Sequence, residues 1–222
     1  MRTMLLGFCL VTGFSTLSAS IMITAEAPGV QATTMPGTIT ENFNSLTPGP
    51  LDAFVSPIGT YSSGAEIVGP NEFGGAGQTN YVAVGAQSDT TSYTLTFAGL
   101  QSYFGLYWSA GDANNVLEFF DGGTLVGDFC TATALGPLSS AYLGNPNNGD
   151  DSGEKFAFLN FTSTSPSTDF TSVEFINNSF GTGFESDNHT ILALTPEPSE
   201  YGFVLAGVAL VGLLIRRRRV LR

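Results

Sequence analysis

Val116-Leu117-Glu118-Phe119-Phe120, then Asp121-Gly122-Gly123, then Thr124-Leu125-Val126-Gly127-Asp128-Phe129 is the stretch that decides the fold. Two short apolar and aromatic runs flank a tripeptide whose glycines take up positive φ without a Cβ penalty. The segment therefore predicts a β-hairpin. Period-two patterning continues on either side of it. Residues 91–97 alternate, with Tyr93, Leu95 and Phe97 on one face and Thr94 and Thr96 on the other. Residues 102–108 are rich in aromatics. Residues 156–161 carry Phe156, Phe158 and, after a step, Phe161, and residues 170–176 set Val173 and Phe175 on one face. Residues 189–194 close the pattern with Ile191 and Ala193 inward and His189 outward.

Clusters of Gly, Asn, Pro and Ser separate these runs. The largest, at 69–79 and 143–153, are expected as exposed loops. No long stretch between them has a capped helical period, and no internal repeat points to a propeller or solenoid. Roughly ten short strands with turn signals between them predict an all-β domain, an antiparallel β-sandwich of jelly-roll-like type.

Composition bounds the function. The chain has 222 residues, with 19 Asp and Glu against 7 Lys and Arg. Between residues 28 and 195 the imbalance is steeper, because Lys155 is the only basic side chain there beside 16 acids. Such a surface repels phosphate backbones, so nucleic acid is not an expected partner. It favours cations, although acids that merely keep a surface soluble explain it as well. Only Cys130 falls in this span, so no internal disulfide can staple it, and a free cysteine of this kind usually packs as a small hydrophobe.

The two ends read differently from the middle. Arg2, an apolar run over 4–11 and small residues through Ser20 have the layout of a secretory signal peptide, assigned here to residues 1–27. Ala19, Ser20 and Ala27 are all compatible exits. Cys9 lacks the residues expected around a lipoprotein cysteine. The opposite end reads Pro196-Glu197-Pro198, an apolar run over 201–215, then Arg216, Arg217, Arg218 and Arg219. Arginines resist crossing the bilayer and fix the cytoplasmic side. The apolar run is 15 residues, against the roughly 20 that span comfortably, so snorkelling stems or a thinned bilayer must make up the difference.

Motif, apolar helix and Arg cluster, in that order, resemble the PEP-CTERM sorting domain, also called the ice-binding protein C-terminal domain. The resemblance covers residues 196–222. It implies processing by an exosortase-type enzyme, transient anchoring in the inner membrane, and release to the cell surface or an extracellular polysaccharide matrix. An ordinary tail anchor is the plain alternative, disfavoured because Pro-Glu-Pro sits directly before the helix. The second name is not evidence of ice binding: the Thr-x-Thr pairs at Thr38, Thr94, Thr131 and Thr162 recur at no fixed period.

A second resemblance lies in the middle. Tyr107-Trp108-Ser109-Ala110-Gly111-Asp112-Ala113-Asn114-Asn115, followed by Leu117 to Gly122, is similar to a Tyr-Trp-Gly-Ser-x-Asp-x-x-Asn block of exosortase-dependent surface proteins. Gly183-Phe184-Glu185-Ser186-Asp187-Asn188 resembles the Phe-Glu-x-Asp-Asn of the same group. The likeness implies fold and address rather than a chemistry.

Catalytic readings are thin. His189 is the single histidine and has no Gly-x-Ser-x-Gly partner, which disfavours a hydrolase. One His and one Cys within 28–195 cannot build a zinc site. Oxygen-rich clusters do occur, at Asp150-Asp151-x-x-Glu154, Glu185-x-Asp187-Asn188 and Asp112-x-Asn114-Asn115. Glu185, Asp187 and Asn188 are a candidate structural calcium site, because calcium takes six to eight oxygens and residues two apart on a strand share a side. Solvated turn acids are the bland reading. Tyr107 and Trp108 are a candidate sugar-stacking platform, although core packing is the stronger reading for aromatics in a sandwich. The expected function is a non-catalytic exported surface or matrix protein, structural or adhesive. The alternative is a carbohydrate-binding module of the same fold, with a hydrolase a distant third.

Overall fold

A computed structural model of the chain describes residues 20–70 and 74–193. The expected sorting residues Pro196, Glu197, Pro198 and Arg216 to Arg219, the apolar run at 201–215 and residues 1–19 of the expected signal lie outside the described residues.

The hairpin forms where expected. Strand β10 (Asn115–Asp121) pairs antiparallel with β11 (Thr124–Cys130), Asp121 opposite Thr124, and Gly122 turns the chain at φ 58°. Strand β10 outruns its predicted run by a residue at each end, and β11 by one at its carboxyl end. On either side of the hairpin lie β8 (Ser92–Gln101), β9 (Tyr103–Gly111), β12 (Lys155–Ser163), β13 (Phe170–Asn177) and β14 (Gly183–Leu192). Before them come β1 (Ile21–Ala25), β2 (Thr38–Glu41), β3 (Gly49–Leu51), β4 (Phe54–Ser56), β5 (Gly59–Tyr61), β6 (Ala65–Val68) and β7 (Tyr81–Gly85). A short α-helix, α1 (Thr131–Ala134), follows β11, and single 3-10 turns lie at Ser140–Tyr142 and Pro166–Thr168. The domain is all-β, and every strand pair is antiparallel.

Two sheets result. The larger runs β1-β12-β9-β14-β7-β6-β3, with β2 also paired to β14, and the smaller runs β11-β10-β13-β8-β5-β4. The last eight strands pair in nested fashion: β10 with β11, β9 with β12, β8 with β13 and β7 with β14. Loops 69–79 and 143–153 contain no strand among their described residues, as expected, but they are not wholly exposed: Gly74, Gly75, Ala76 and Asn145 are buried, because the first loop is laid against the larger sheet.

One core lies between the sheets. Phe104, Leu106, Trp108, Leu159, Phe161 and Phe184 enter it from the larger sheet, and Tyr93, Leu95, Leu117, Phe119, Val173 and Phe175 from the smaller. Aromatic pairs knit the layers, Phe119 of the smaller sheet meeting Phe161 of the larger with centroids 5.2 Å apart and Phe175 meeting Phe184 at 5.7 Å. Burying rings of this size dominates the hydrophobic stabilisation, about 25 cal/mol for each Å² of apolar surface removed from water.

The larger sheet is also covered on its far side. Tyr107, Phe156 and Phe158 form a second small cluster with Ala76 of the loop before β7. Period two thus splits β12: Phe156 and Phe158 face that loop while Phe161 faces the main core. The sheet reaches further toward the amino end than the expected boundary at residue 28. Ile21 to Ala25 pair with Ser163 to Leu159 as an edge strand.

Candidate functional site

Strand β14 carries most of the residues singled out by chemistry, and a bulge organises them. Its register against β9 shifts between Asp187 and Thr190, and Asn188 sits at φ 50°. An extra residue in one strand reverses which side chains face inward. Phe184 and Ser186 point into the core before the bulge, and His189 and Ile191 do so after it.

His189 is therefore not the outward residue expected. It is fully buried among Phe43, Phe104 and Phe175, stacked on the last at 4.8 Å and 11°. Its Nδ1 lies 2.9 Å from the Tyr61 hydroxyl and its Nε2 lies 2.9 Å from Ser186 Oγ, which in turn lies 3.4 Å from the Tyr93 hydroxyl. A serine and a histidine at this distance have the spacing of a nucleophile and its base. Neither has any exposed surface, so no substrate reaches them. Burial also holds the imidazole at a pKa of about 3, far below a useful general base. The four groups satisfy one another inside an aromatic core.

On the opposite face of β14, the three expected calcium ligands part company. Asp187 accepts from two backbone N–H groups, Ala76 at 2.8 Å on Oδ2 and Asn188 at 2.6 Å on Oδ1. The Asn188 amide donates to the Gln31 carbonyl at 2.9 Å. Glu185 Oε1 accepts from Gln87 Nε2 at 2.8 Å. The three side chains are thus each committed to a different partner: Asp187 to backbone N–H groups, Asn188 to the Gln31 carbonyl and Glu185 to Gln87. Among the described residues, no three His, Cys, Asp or Glu side chains come together as a metal site. Asp187 and Asn188 instead anchor two covering segments, at 76 and at 31. Burial pushes the carboxyl of Asp187 up to about 7 and that of Glu185 up to about 8.

Tyr107 and Trp108 do not form a platform. Both are buried, and a ring without an open face offers nothing for a sugar to stack on. Trp108 packs in the main core against Phe184 and its Nε1 donates to Asn115 Oδ1 at 3.4 Å. Tyr107 packs on the far side of the sheet, where its hydroxyl accepts from Gln31 Nε2 at 3.2 Å. Asn115 also receives the Asp112 N–H and donates to the Gly183 carbonyl at 2.7 Å. The two segments of the second resemblance therefore touch: Trp108 and Asn115 of the first hold Phe184 and Gly183 of the second.

A cavity of about 390 Å³ opens beside this junction. Asp112, Asp151, Glu154, Glu185, Gln87 and Gly183 line it. Glu185 feels the negative charge of Asp112 and Glu154, and Glu154 that of Asp151 and Asp112. The nearest basic group does not offset them. Lys155 Nζ donates to the carbonyls of Leu135, Gly136 and Leu138 at 3.0, 2.8 and 2.6 Å, which uses all three of its hydrogens. The sequence marked Asp112, Glu154 and Glu185 as oxygen-rich but gave no sign of Gln87. It stands alone in a turn after β7, and only the packing of β7 against β14 brings it to Glu185.

Neither a scan against protein-family models nor a search of curated proteins returns a match for this chain.

Proposed function

We propose that the chain is a non-catalytic exported protein of the cell surface or extracellular matrix, structural or adhesive, sorted by an exosortase-type enzyme through its carboxyl end. The observation that carries this reading is the order Pro196-Glu197-Pro198, apolar 201–215, Arg216 to Arg219. The packing is in keeping with it. The one histidine, the one tryptophan and Ser186 are committed to the core, which favours a scaffold over a hydrolase. Burial of Tyr107 and Trp108 removes the support on which the carbohydrate-binding alternative rested.

The finer fold reading is a jelly roll, supported by the nested pairing of the last eight strands and their division between two sheets. The signal cleavage reading narrows to Ala19 or Ser20. A cut after Ala27 would remove the five residues that pair with β12.

Glu197→Ala tests the assignment in a strain that makes the exosortase. The variant should accumulate as full-length chain in the membrane fraction, whereas the parent is released. Equal release of both would overturn the sorting assignment.

A further inference from the structure

Strand β14 runs toward Leu192, and its pairing fixes what else lies at that end. Ile191 pairs with Phe104 near the start of β9, and Leu192 pairs with Thr38 at the start of β2. Strand β1 starts there too, with Ile21 opposite Ser163 at the close of β12. Strand β8 passes into β9 across residues 101–103, and the β10–β11 hairpin turns on the same side at 121–124. The described chain therefore enters and leaves the sandwich at one end. In the larger sheet β12 and β9 separate β1 from β14. At a strand spacing of roughly 4.8 Å the two exits are about 15 Å apart.

Exposed apolar side chains gather at the same end. Among the described residues seven large ones are exposed, and five of them are Met22, Ile39, Val55, Leu100 and Leu125. Each of the five sits one position from the strand terminus that faces this end. Val55 is 76% exposed, and Met22 and Leu100 are 51% exposed. Val55 and Leu125 also bound one row of the smaller sheet, which reads Val55, Thr60, Thr96, Ser172, Phe120, Leu125 from strand to strand. Leu143 and Phe180 lie at the opposite end. Charge is divided the other way. Asp89, Asp112, Asp150, Asp151 and Glu154 crowd the opposite end together with Lys155. Asp121 and Asp169 are the charged side chains beside the apolar group.

Apolar groups scattered singly over a surface need no partner, but groups gathered at one end do. The length of chain beyond β14 names the partner. Eight residues, 193–200, separate Leu192 from the apolar run at 201–215. Fully extended they reach about 30 Å. With 201–215 in a bilayer, the end bearing Leu192 is the part of the domain that the linker holds nearest the lipid. A short linker sets an effective concentration in the millimolar range, at which contacts too weak to form from solution are occupied. We propose that this end of the sandwich docks on the surface of the bilayer that holds the tether, with Met22, Val55, Leu100 and Leu125 entering the boundary between headgroups and acyl chains. The inference rests on the reading of 201–215 as membrane-spanning. The attachment is apolar, since Lys155 is at the far end and Asp121 and Asp169 repel anionic headgroups. Cutting the tether removes the linker's contribution and lets the domain leave the lipid.

The test uses the processed chain, Ser20 to Arg222, carrying Cys130→Ser and reconstituted in phosphatidylcholine vesicles. A fluorophore is attached through Thr124→Cys at this end or through Asn148→Cys at the opposite end. Flotation with the vesicles is read first, and quenching by a nitroxide on the lipid acyl chains second. The chain should float, and the label at 124 should be quenched at least about threefold more than the label at 148. Val55→Ser, Leu100→Ser and Leu125→Ser combined should lower the quenching at 124 by at least about threefold while the chain still floats. Thermal melts confirm that the variants are folded. Should the triple variant misfold, Val55→Ser alone, at the most exposed site, should lower the quenching in the same direction. A chain that does not float overturns the tether reading and the docking with it. A chain that floats with equal quenching at 124 and 148, or with quenching unchanged in the folded variants, overturns the docking and leaves the tether reading standing.

Discussion

Trp108 of β9 stacks on Phe184 of β14 with ring centroids 4.5 Å apart and planes inclined by 25°. The pair is wholly buried and links two neighbouring strands at the centre of the larger sheet. The indole also reaches Asn115, whose amide holds the start of β14 at the Gly183 carbonyl.

Trp108→Ala should therefore act on stability. Removing a large buried ring typically costs about 3–5 kcal/mol through lost burial and the cavity left behind. Urea denaturation should give a free energy of unfolding lower by that amount, or the variant should be recovered unfolded. A variant of undiminished stability would place the ring outside the core.

Glu185 and Asp187 make a joint prediction about pH. Their folded carboxyls lie at about 8 and about 7, above the ordinary 4.5 and 3.8. A folded pKa above the unfolded one means that the native state holds the proton more tightly. The contribution is then complete below about pH 4 and drains away as pH rises through about 7 and about 8. Denaturation midpoints should decline from acidic to mildly alkaline pH. Glu185→Gln and Asp187→Asn should each flatten the decline. A slope identical in parent and both variants would show that neither group titrates there.

His189 works in the opposite sense. Its folded pKa of about 3 lies below the free value of 6.5, so the unfolded chain gains the proton first. Its contribution is present above about pH 6.5 and is lost as pH falls toward about 3. Substitution by Gln keeps polar atoms near Tyr61 and Ser186 but does not titrate. The stability advantage of the parent over His189→Gln should shrink as melts are run at successively lower pH. A gap that holds constant would mean that the ring does not resist protonation.

Lys155 gathers three carbonyls at the end of α1 and the turn after it. Lys155→Met keeps the stem and removes the donors, leaving those carbonyls to water. A loss of about 2 kcal/mol is expected from charge-assisted bonds that are partly exposed. Hydrogen exchange should quicken first around residues 131–143. An effect confined to distant strands would separate this lysine from the turn.

How far the sequence discloses this molecule depends on the strand. The hairpin at Asp121-Gly122-Gly123 is legible because the alternation on its flanks and the turn chemistry agree. Tyr93, Leu95 and Phe97 are legible for the same reason: one face of β8 meets the core and the other meets solvent. Strand β9 is opaque, since eight of its nine residues are buried and no alternation survives. The cause is the loop chain laid over the far side of the sheet, which Asp187 and Asn188 pin in place. Strands β3, β4 and β5 are three residues each, too short for a period to show. The inward side of His189 is legible from Ile191 two residues on, since such residues share a face; what no local pattern announces is the bulge at Asp187 and Asn188, which puts Phe184 and Ser186 on that same side.

The nested pairing makes β14 a keystone supplied last. It lies between β9 and β7 in the larger sheet and alone pairs with β2, so a chain that has emerged only as far as β13 has that sheet in three unjoined parts. Closing the outermost pair brings Gly85 to Gly183, after the inner pairs have closed much shorter loops. Strand β14 ends at Leu192, four positions before Pro196. The piece of chain that completes the domain is thus immediately upstream of the segment read as its membrane tether. The larger sheet can therefore be completed only when synthesis has come within a few residues of the segment proposed as the tether.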